Sequence, residues 1–562
     1  MVRWRRTTAA ALAAALVTTA VSHLPLPVSP ALAADGRTPI SEEIARRLAV
    51  PGVRAPMVGT RTLGTFELVR RFYEERNLMP AWTGPREPRS LVLQLLEAVK
   101  SATRDGLDPE DYHATELGNL LADLGDRRWA LSHGAVESRA ALELIATDAY
   151  FKFAAHALIG HRGEEPLRGD DLAEDGLDDA VAHLEAAIAT GTIFTSLTAL
   201  LPTHDQYPQL RRLLASYRRL AAKPPWLEVP QGRTMQLGNR DVRVPILRAR
   251  LAAEPGAGLS EDVRFPQWFD GDLDRVVRDF QRRHGLEDDG VVGTTTVRAL
   301  NVPAEQRVRQ IELNLERWRR LPRNLGSRHL FVNIAAAELD AVEHDRVVAR
   351  MRVVVGNAAW QTPVLSSTIT HFVINPYWIV PRRIAVESLL PNIVEDPEYL
   401  RVHGFRVYDA LDTESGELDA ATIEWSELGP RKFPYRLRQE PGPDNALGRM
   451  KFVFPNRYSV YLHDTPVRDS FVPRVRTRSH GCVRLENPDA VAEYLIAETE
   501  EWSRAKLLEA IAADERRVVR LDRRVPVHLA YLTAWVSETG AVQFRRDYYG
   551  RDRRLAHALD GI

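Results

Sequence analysis

The sequence predicts a multidomain α+β protein with a helical N-terminal domain, a small helical module and a mainly-β C-terminal domain that carries an insertion. Three observations predict this fold class. The 562 residues are enough for three or four domains at roughly 100–200 residues each. Apolar residues recur with helical spacing from Phe66 to about Pro202. From Arg328 onward they alternate with period two, which is typical of strands.

The composition excludes several classes of function. The chain has 75 basic and 76 acidic residues and a net charge of −1, so it has no basic field for nucleic acid, and we expect no nucleic acid as a partner. A single cysteine excludes internal disulfides and metal sites built from clustered thiolates. The HExxH pattern of zinc peptidases is also absent. We therefore expect neither a metal nor another cofactor.

Residues 1–34 have the pattern of a secretory signal peptide. Three arginines among the first six residues precede an apolar stretch, Ala9–Val21, that is too short to span a bilayer. The small residues of Ala31-Leu32-Ala33 suit a cleavage site. The alternative is an uncleaved membrane anchor, although three prolines interrupt the segment that would have to be helical. We expect an exported, periplasmic protein with a cleaved signal peptide.

The next two predicted units are helical. A first domain, residues 60–225, contains amphipathic spacing and a long Ala-rich candidate helix over Glu137–Leu158. A second unit, residues 232–303, has apolar residues at Leu273, Val276, Val277 and Phe280, the i, i+3, i+4, i+7 pattern of a buried helix face. Together with the turn Asp289-Gly290-Val291-Val292-Gly293, residues 273–301 resemble the peptidoglycan-binding domain of three short helices. The alternative is a helical hairpin that binds nothing.

The C-terminal domain, residues 327–548, is predicted to be mainly β. Within it, residues 387–447 are rich in Pro, Gly and Asp and are predicted to be irregular. An insertion of about 60 residues is more typical of a functional lid than of a linker. Trp425, Phe433 and Tyr435 are expected to cover an apolar wall of a pocket beneath it, and the alternative is that the insertion packs on the helical domain.

The single cysteine, Cys482, lies in Ser479-His480-Gly481-Cys482-Val483-Arg484-Leu485. A lone cysteine is often a buried apolar residue. Here Gly481 permits a tight turn that projects the thiol and directs the backbone N–H groups of His480, Gly481 and Cys482 toward one point. This is the arrangement of a nucleophile beside an oxyanion hole.

A thiol is mostly protonated at neutral pH, so catalysis requires a nearby base. His480 is close in sequence but is expected to be part of the turn. We assign the base to His463, which closes the candidate strand Tyr458–His463. Either the carboxylate or the backbone carbonyl of Asp464 can orient the imidazole, and the sequence does not separate the two.

Tyr-Leu-His-Asp-Thr-Pro at 461–466, followed by Ser-His-Gly-Cys-Val-Arg-Leu at 479–485, resembles the active-site signature of the L,D-transpeptidases. The order of signal peptide, helical scaffold domain, peptidoglycan-binding module and catalytic domain with a capping insertion is similar to the long periplasmic subfamily. The resemblance implies that Cys482 is the nucleophile, His463 the base and the 480–482 N–H groups the oxyanion hole. It also implies pocket roles for four residues: Tyr461, Trp378, Arg449 and Arg484.

The resemblance further implies the reaction. A tetrapeptide stem would acylate Cys482 with release of D-alanine, and the amine of diaminopimelate on an acceptor stem would then form a 3→3 crosslink. Water as acceptor would instead give L,D-carboxypeptidase activity. A thiol-dependent peptide hydrolase and a non-catalytic cell-wall scaffold are two further functions that the sequence leaves open. We expect a monomer, with peptidoglycan stem peptides and enzymes of cell-wall synthesis as partners.

Overall fold

The computed structural model describes residues 38–49, 57–58, 61–83, 88–125, 134–161, 179–254, 258–259, 264–412 and 416–560. The predicted signal peptide lies outside these residues. Among the described helices, none combines the length and the apolar composition needed to cross a bilayer.

The N-terminal domain is helical, as predicted. Its helices and its short hairpin are α1 (Pro39–Leu48), β1 (Met57–Val58), β2 (Arg61–Thr62), α2 (Phe66–Glu75), α3 (Pro88–Ser101), α4 (Ala114–Gly125), α5 (Gly134–Ile159), α6 (Ala180–Thr190), α7 (Ile193–Thr198) and α8 (Gln206–Ala221). The long helix α5 is buried on nearly every side because the other helices pack around it. Helix α1 precedes the predicted start at residue 60, yet its Ile44 and Leu48 lie in the same core.

The small module contains α9 (Val244–Ala252), α10 (Gly271–Arg283) and α11 (Thr294–Leu300). Its sequence signature is mainly structural. The Gln281 side chain donates to the carbonyl of Val291 and to Asp289, both at 3.0 Å, and accepts from the N–H of Gly290 at 2.9 Å. Gly290 has φ +75° and lies against the Asp274 side chain, so a Cβ does not fit there. These contacts fix the turn between α10 and α11.

Helix α12 (Ala304–Arg319) joins the module to the C-terminal domain. Its Ile311, Leu315 and Trp318 are buried in the core of the N-terminal domain. The buried Arg319 bonds Glu316, the Asp105 carbonyl and the Tyr207 hydroxyl. The N-terminal domain is therefore completed by a helix that follows the module in sequence.

The C-terminal domain contains β3 (Arg328–Asn333), β4 (Glu338–Glu343), β5 (Arg346–Gly356), β6 (Leu365–Ile374), β7 (Trp378–Ile379), β8 (Phe405–Asp409), β9 (Tyr435–Gln439), β10 (Met450–Val453), β11 (Leu462–His463), β12 (Thr477–Ser479), β13 (Val483–Leu485), β14 (Arg517–Ala530), β15 (Ala534–Val536) and β16 (Val542–Phe544). Its helices are α13 (Arg382–Ile384), α14 (Leu390–Glu395), α15 (Tyr399–Val402), α16 (Pro488–Ile496), α17 (Arg504–Ala512) and α18 (Arg551–Leu559). The large sheet has the order β12-β5-β13-β11-β10-β6-β14-β3-β4, and β4 also pairs with β5. Eight strands thus close into a ring around one apolar core, with β12 on its edge.

The insertion differs from its predicted irregular form. It begins at Trp378 rather than at 387, and β7, β9 and β8 form a separate three-stranded sheet. The insertion has its own core, in which Phe433 is only 4% exposed and against which Trp425 and Tyr435 pack. The aromatic side chains expected to cover the pocket therefore stabilise the insertion itself, because a segment of this length that projects from a barrel needs its own buried surface.

Candidate active site

The candidate nucleophile and base come from neighbouring parallel strands. His463 of β11 is paired with Arg484 of β13, and the N–H of Val483 donates to the Tyr461 carbonyl at 3.1 Å. This register places Tyr461 beside Cys482. Because residues two apart in a strand share a face, Tyr461 and His463 lie on the same side of the sheet as Cys482 and Arg484.

The turn before Cys482 has the conformation that its glycine predicts. Gly481 has φ +108°, a backbone conformation that residues with a Cβ rarely adopt, and a Cβ there would meet only ordinary contacts. Conformation rather than space therefore requires glycine. Ser479 Oγ donates to the Cys482 carbonyl at 2.5 Å and accepts from the Gly481 N–H at 3.1 Å, while Thr362 Oγ1 donates to the Gly481 carbonyl at 2.8 Å.

The predicted oxyanion hole is therefore reduced from three donors to two. The Gly481 N–H is already bonded to Ser479, so it is not free for a substrate oxygen. Within the described part of the chain, no acceptor bonds the N–H groups of His480 and Cys482. These two groups belong to the turn that carries the thiol and remain candidates for stabilising a developing oxyanion.

His463 is held in one tautomer by the backbone. Its Nδ1 donates to the Asp464 carbonyl at 2.5 Å, which leaves Nε2 without a proton in the neutral ring. Burial, with a further effect from Arg484, lowers the pKa of His463 to about 3. The imidazole is therefore neutral at physiological pH and has a free lone pair, as a general base requires.

The Asp464 carboxylate has a different task. It accepts from the Arg449 N–H at 2.7 Å and from Arg468 Nη2 at 2.6 Å, and it is almost fully buried. Gly448, with φ +59°, lies so close to this carboxylate that a Cβ does not fit. The sequence leaves open which group of Asp464 orients His463. In the structure the backbone carbonyl accepts the hydrogen bond from His463, and the carboxylate holds the preceding loop, which contains Gly448 and Arg449.

Two pocket residues predicted by resemblance lie close to the nucleophile. Tyr461 lies beside Cys482 in the register of β11 and β13. Burial raises the pKa of Tyr461 well above its usual value, the charge of Cys482 raises it further, and the nearby Trp378 side chain lowers it. Burial also raises the pKa of the Cys482 thiol. The resting pair is therefore a thiol and a neutral imidazole.

A raised thiol pKa predicts a specific pH dependence. Because Cys482 is the only cysteine, alkylation by iodoacetamide reports on it alone. We expect the rate to be low at neutral pH and to keep rising at alkaline pH beyond the point where free cysteine levels off, since the thiolate fraction at any given pH falls as the pKa rises. Intact-mass measurements from about pH 6 to about pH 11, with free cysteine as the control, test this. A plateau near neutral pH would instead indicate a thiolate–imidazolium pair.

His480 connects the turn to the insertion. Its Nε2 lies 3.2 Å from Ser388 Oγ, and its ring meets Trp360 edge-on at 5.0 Å between centroids. Arg383 of the insertion stacks over the same Trp360 ring, with its guanidinium carbon 3.6 Å from the centroid. The insertion therefore touches the backbone turn that carries the nucleophile.

The other two predicted pocket residues, Arg484 and Arg449, differ in whether their side chains lie at the site. Arg484 stays at the site, where its charge acts on both His463 and Cys482, and its buried Nε has no hydrogen-bond partner in the described structure. The Arg449 guanidinium instead forms an ion pair with Asp514 and contacts Asn375 at 3.4 Å. Its link to the site is through its backbone N–H.

Sequence reasoning missed two residues that contact this site. Lys451 lies over the Tyr461 ring, and Ser388 bonds His480. The alternation of Lys451 with the buried residues Met450 and Phe452 signals a strand whose polar side faces outward, and it is the one signal that points to Lys451. Nothing local marks Ser388. Over the described ranges, no cluster of three or more His, Cys, Asp or Glu side chains has the arrangement of a metal site.

Comparison with known protein families gives three matches along the chain. Residues 327–500 match the L,D-transpeptidase catalytic domain, residues 67–214 match the scaffold domain, and residues 243–300 match the "Putative peptidoglycan binding domain". Each match falls on the corresponding part of the fold.

Individual relatives are partial matches. A Haemophilus influenzae protein described as a "Putative L,D-transpeptidase" is 36% identical over 246 residues, which are 44% of this chain and 48% of that protein. An L,D-transpeptidase structure from Mycobacterium smegmatis is 13% identical to this chain, with a TM-score of 0.18. The match covers 36% of this chain and 58% of the Mycobacterium smegmatis chain. One from Xylanimonas cellulosilytica has 19% identity and a TM-score of 0.18, with coverage of 53% and 98%.

Proposed function

We propose that this protein crosslinks peptidoglycan stem peptides through a cysteine acyl-enzyme, a proposal supported by its matches to the L,D-transpeptidase catalytic domain, the scaffold domain and the peptidoglycan-binding domain. One observation carries the proposal. His463, with its Nδ1 proton fixed on a backbone carbonyl and its Nε2 free, stands on the strand next to Cys482. This is the pairing of base and nucleophile that acyl transfer by a thiol requires.

In the proposed first step, Nε2 of His463 takes the Cys482 proton as the sulfur attacks the carbonyl of the third residue of a donor tetrapeptide. The N–H groups of His480 and Cys482 stabilise the tetrahedral oxyanion. The bond to the fourth residue breaks, and His463 returns the proton to the amine of the departing D-alanine. A thioester on Cys482 remains.

In the second step, the side-chain amine of diaminopimelate on an acceptor stem attacks the thioester, and His463 takes a proton from that amine. Collapse of the intermediate returns the proton to the sulfur and releases a 3→3 crosslinked dimer. Water in place of the amine would release a tripeptide, which is the L,D-carboxypeptidase outcome. The signal-peptide pattern supports an exported protein that acts in the periplasm at the cell wall.

The test is incubation of the protein with purified disaccharide-tetrapeptide, followed by mass analysis of the products. We expect a dimer that lacks one D-alanine. A tripeptide monomer as the main product would assign the protein to the hydrolytic reaction. Substrate that returns unchanged would contradict both reactions, and would favour a wall-binding scaffold.

The contact between the insertion and His480 predicts how acceptors are selected. An amine outcompetes water only if it is held at the thioester while water is excluded. Ser388→Ala removes the hydrogen bond that joins the insertion to the nucleophile turn. We expect the ratio of dimer to tripeptide to fall by about threefold to tenfold, in line with loss of one such bond of about 1 kcal/mol, while donor consumption stays within about twofold.

The matched control is Ser426→Ala. Ser426 is also in the insertion, but it is exposed and bonds only Glu424 among the described residues, at 2.6 Å. An unchanged product ratio in Ser388→Ala, or an equal change in both variants, would place acceptor selection elsewhere in the protein.

A further inference from the structure

Lys451 stands next to the proposed base. Strand β10 pairs with β11 so that Lys451 lies directly opposite His463, and directly paired residues of adjacent strands point to the same face. The Lys451 Nζ lies 4.0 Å from the centroid of the Tyr461 ring, and Tyr461 lies beside Cys482 in the register of β11 and β13. A row across three strands therefore carries Lys451, His463 and Arg484.

This lysine has no counter-charge. Across the described ranges, no carboxylate lies within ion-pair distance of its ammonium group, whereas the nearby Arg449 and Arg468 pair with Asp514 and Asp464. Burial, together with repulsion from Arg516, lowers the pKa of Lys451, and the Cys482 sulfur acts in the opposite direction. An ammonium group that is half-buried without an anion is costly in the free protein. A carboxylate brought by a ligand removes that cost.

The chemistry of the leaving group identifies which carboxylate. In the proposed reaction His463 returns its proton to the amine of the departing fourth residue, so that amine lies at His463. The terminal carboxylate of an amino acid is bonded to the same carbon as its amine. It must therefore lie within a few ångströms of His463, where Lys451 is the neighbouring cation on β10, away from the strand that carries the nucleophile, and Arg484 lies on β13, two residues from Cys482.

We propose that Lys451 binds the terminal carboxylate of the donor stem, an inference that rests on the proposed function. It makes the protein selective for tetrapeptides with a free C-terminus. The cation–π contact with Tyr461 holds the ammonium in place in the absence of substrate. When the carboxylate leaves with D-alanine, the site next to the thioester is vacated for the acceptor amine.

The experiment compares two donors, the disaccharide-tetrapeptide with a free terminal carboxylate and the same compound as a terminal amide. Their binding to the Cys482→Ala protein is measured by calorimetry, so that the result does not depend on turnover. We expect the free acid to bind about tenfold more tightly than the amide, as is typical when a charge-assisted hydrogen bond is lost. When Lys451→Met is added to the Cys482→Ala protein, the affinity for the free acid should fall to that for the amide, and the affinity for the amide should stay unchanged.

Two further variants keep the result interpretable. Lys451→Arg retains a cation and should retain the preference for the acid, which separates charge recognition from damage to the strand. Lys432→Met is the matched control, because Lys432 is exposed and paired with Glu427 at 3.2 Å, and it should leave both affinities unchanged.

The inference would be overturned if the Cys482→Ala protein with Lys451 intact bound the acid and the amide with equal affinity. It would also be overturned if Lys451→Met weakened the binding of both donors by the same factor. Failure of the proposed function looks different. In that case the wild-type protein forms neither dimer nor tripeptide, while the preference for the free acid in binding persists.

Discussion

Replacing Cys482 with alanine is expected to reduce turnover of disaccharide-tetrapeptide by on the order of 10⁴-fold or more, to the level of the uncatalysed background. Cys482 carries the only thiol in the chain, and in the proposed mechanism it forms the covalent intermediate. The change removes one atom from a side chain that is only partly buried, so the free energy of unfolding should change by about 1 kcal/mol or less. Product mass analysis and thermal unfolding measure the two quantities.

The same variant tests covalent capture. By resemblance to the family, a carbapenem should leave a thioester adduct on the wild-type protein, and intact-mass analysis should find no adduct on Cys482→Ala. An equal adduct on both proteins, or turnover by the alanine variant at the wild-type rate, would contradict the assignment of the nucleophile.

Replacing His463 with asparagine is expected to slow acylation by about 10²–10⁴-fold, the usual contribution of a general base. The thiol pKa is raised by burial, so the pair relies on proton transfer during attack rather than on a preformed thiolate. A shorter amide side chain can bond the Asp464 carbonyl but cannot accept the thiol proton. Single-turnover acylation measured at neutral and alkaline pH tests this, because supplying thiolate at high pH should partly rescue the variant.

Asp464→Asn is the comparison for His463→Asn. The carboxylate bonds the Arg449 N–H and Arg468, and the histidine is oriented by the backbone carbonyl, which the substitution keeps. We expect acylation within about tenfold of wild type and a loss of about 1–3 kcal/mol in the free energy of unfolding, because an amide donor would face the Arg468 guanidinium. A loss of acylation as large as that of His463→Asn would show that the carboxylate takes part in the proton transfer.

The domain organisation was accessible from the sequence because it depends on periodicity. The helical spacing before Pro202 and the alternation after Arg328 reflect which side of each element is buried, and burial follows from side-chain hydrophobicity. The boundaries of the N-terminal domain were harder to predict from the sequence. Helix α1 and the buried face of α12 join the N-terminal core from positions outside the predicted range of residues 60–225, since packing partners are chosen in space.

The insertion shows where local signals mislead. Its Pro, Gly and Asp content predicted an irregular lid, and its aromatics suited a pocket wall. In the structure Phe433 is buried in a core that also contains Val407 and Leu437. The aromatic side chains of the insertion pack in this core because a projecting subdomain needs buried apolar side chains of its own. Contact with the site is made instead by Ser388, which has no distinctive sequence context, and Trp378, which only the family resemblance assigned to the pocket, lies near Tyr461.

The sequence by itself pointed to the nucleophile turn and to His463 as the candidate base. A glycine before a lone cysteine permits the tight turn locally, and a histidine that closes a β-rich run is likewise a local pattern. Only the tertiary structure decided which group of Asp464 orients His463, which N–H groups remain free at Cys482, and that Lys451 faces the site unpaired within the described ranges. These depend on strand register and on hydrogen bonds between residues distant in sequence, and a register is selected by burial of the whole sheet.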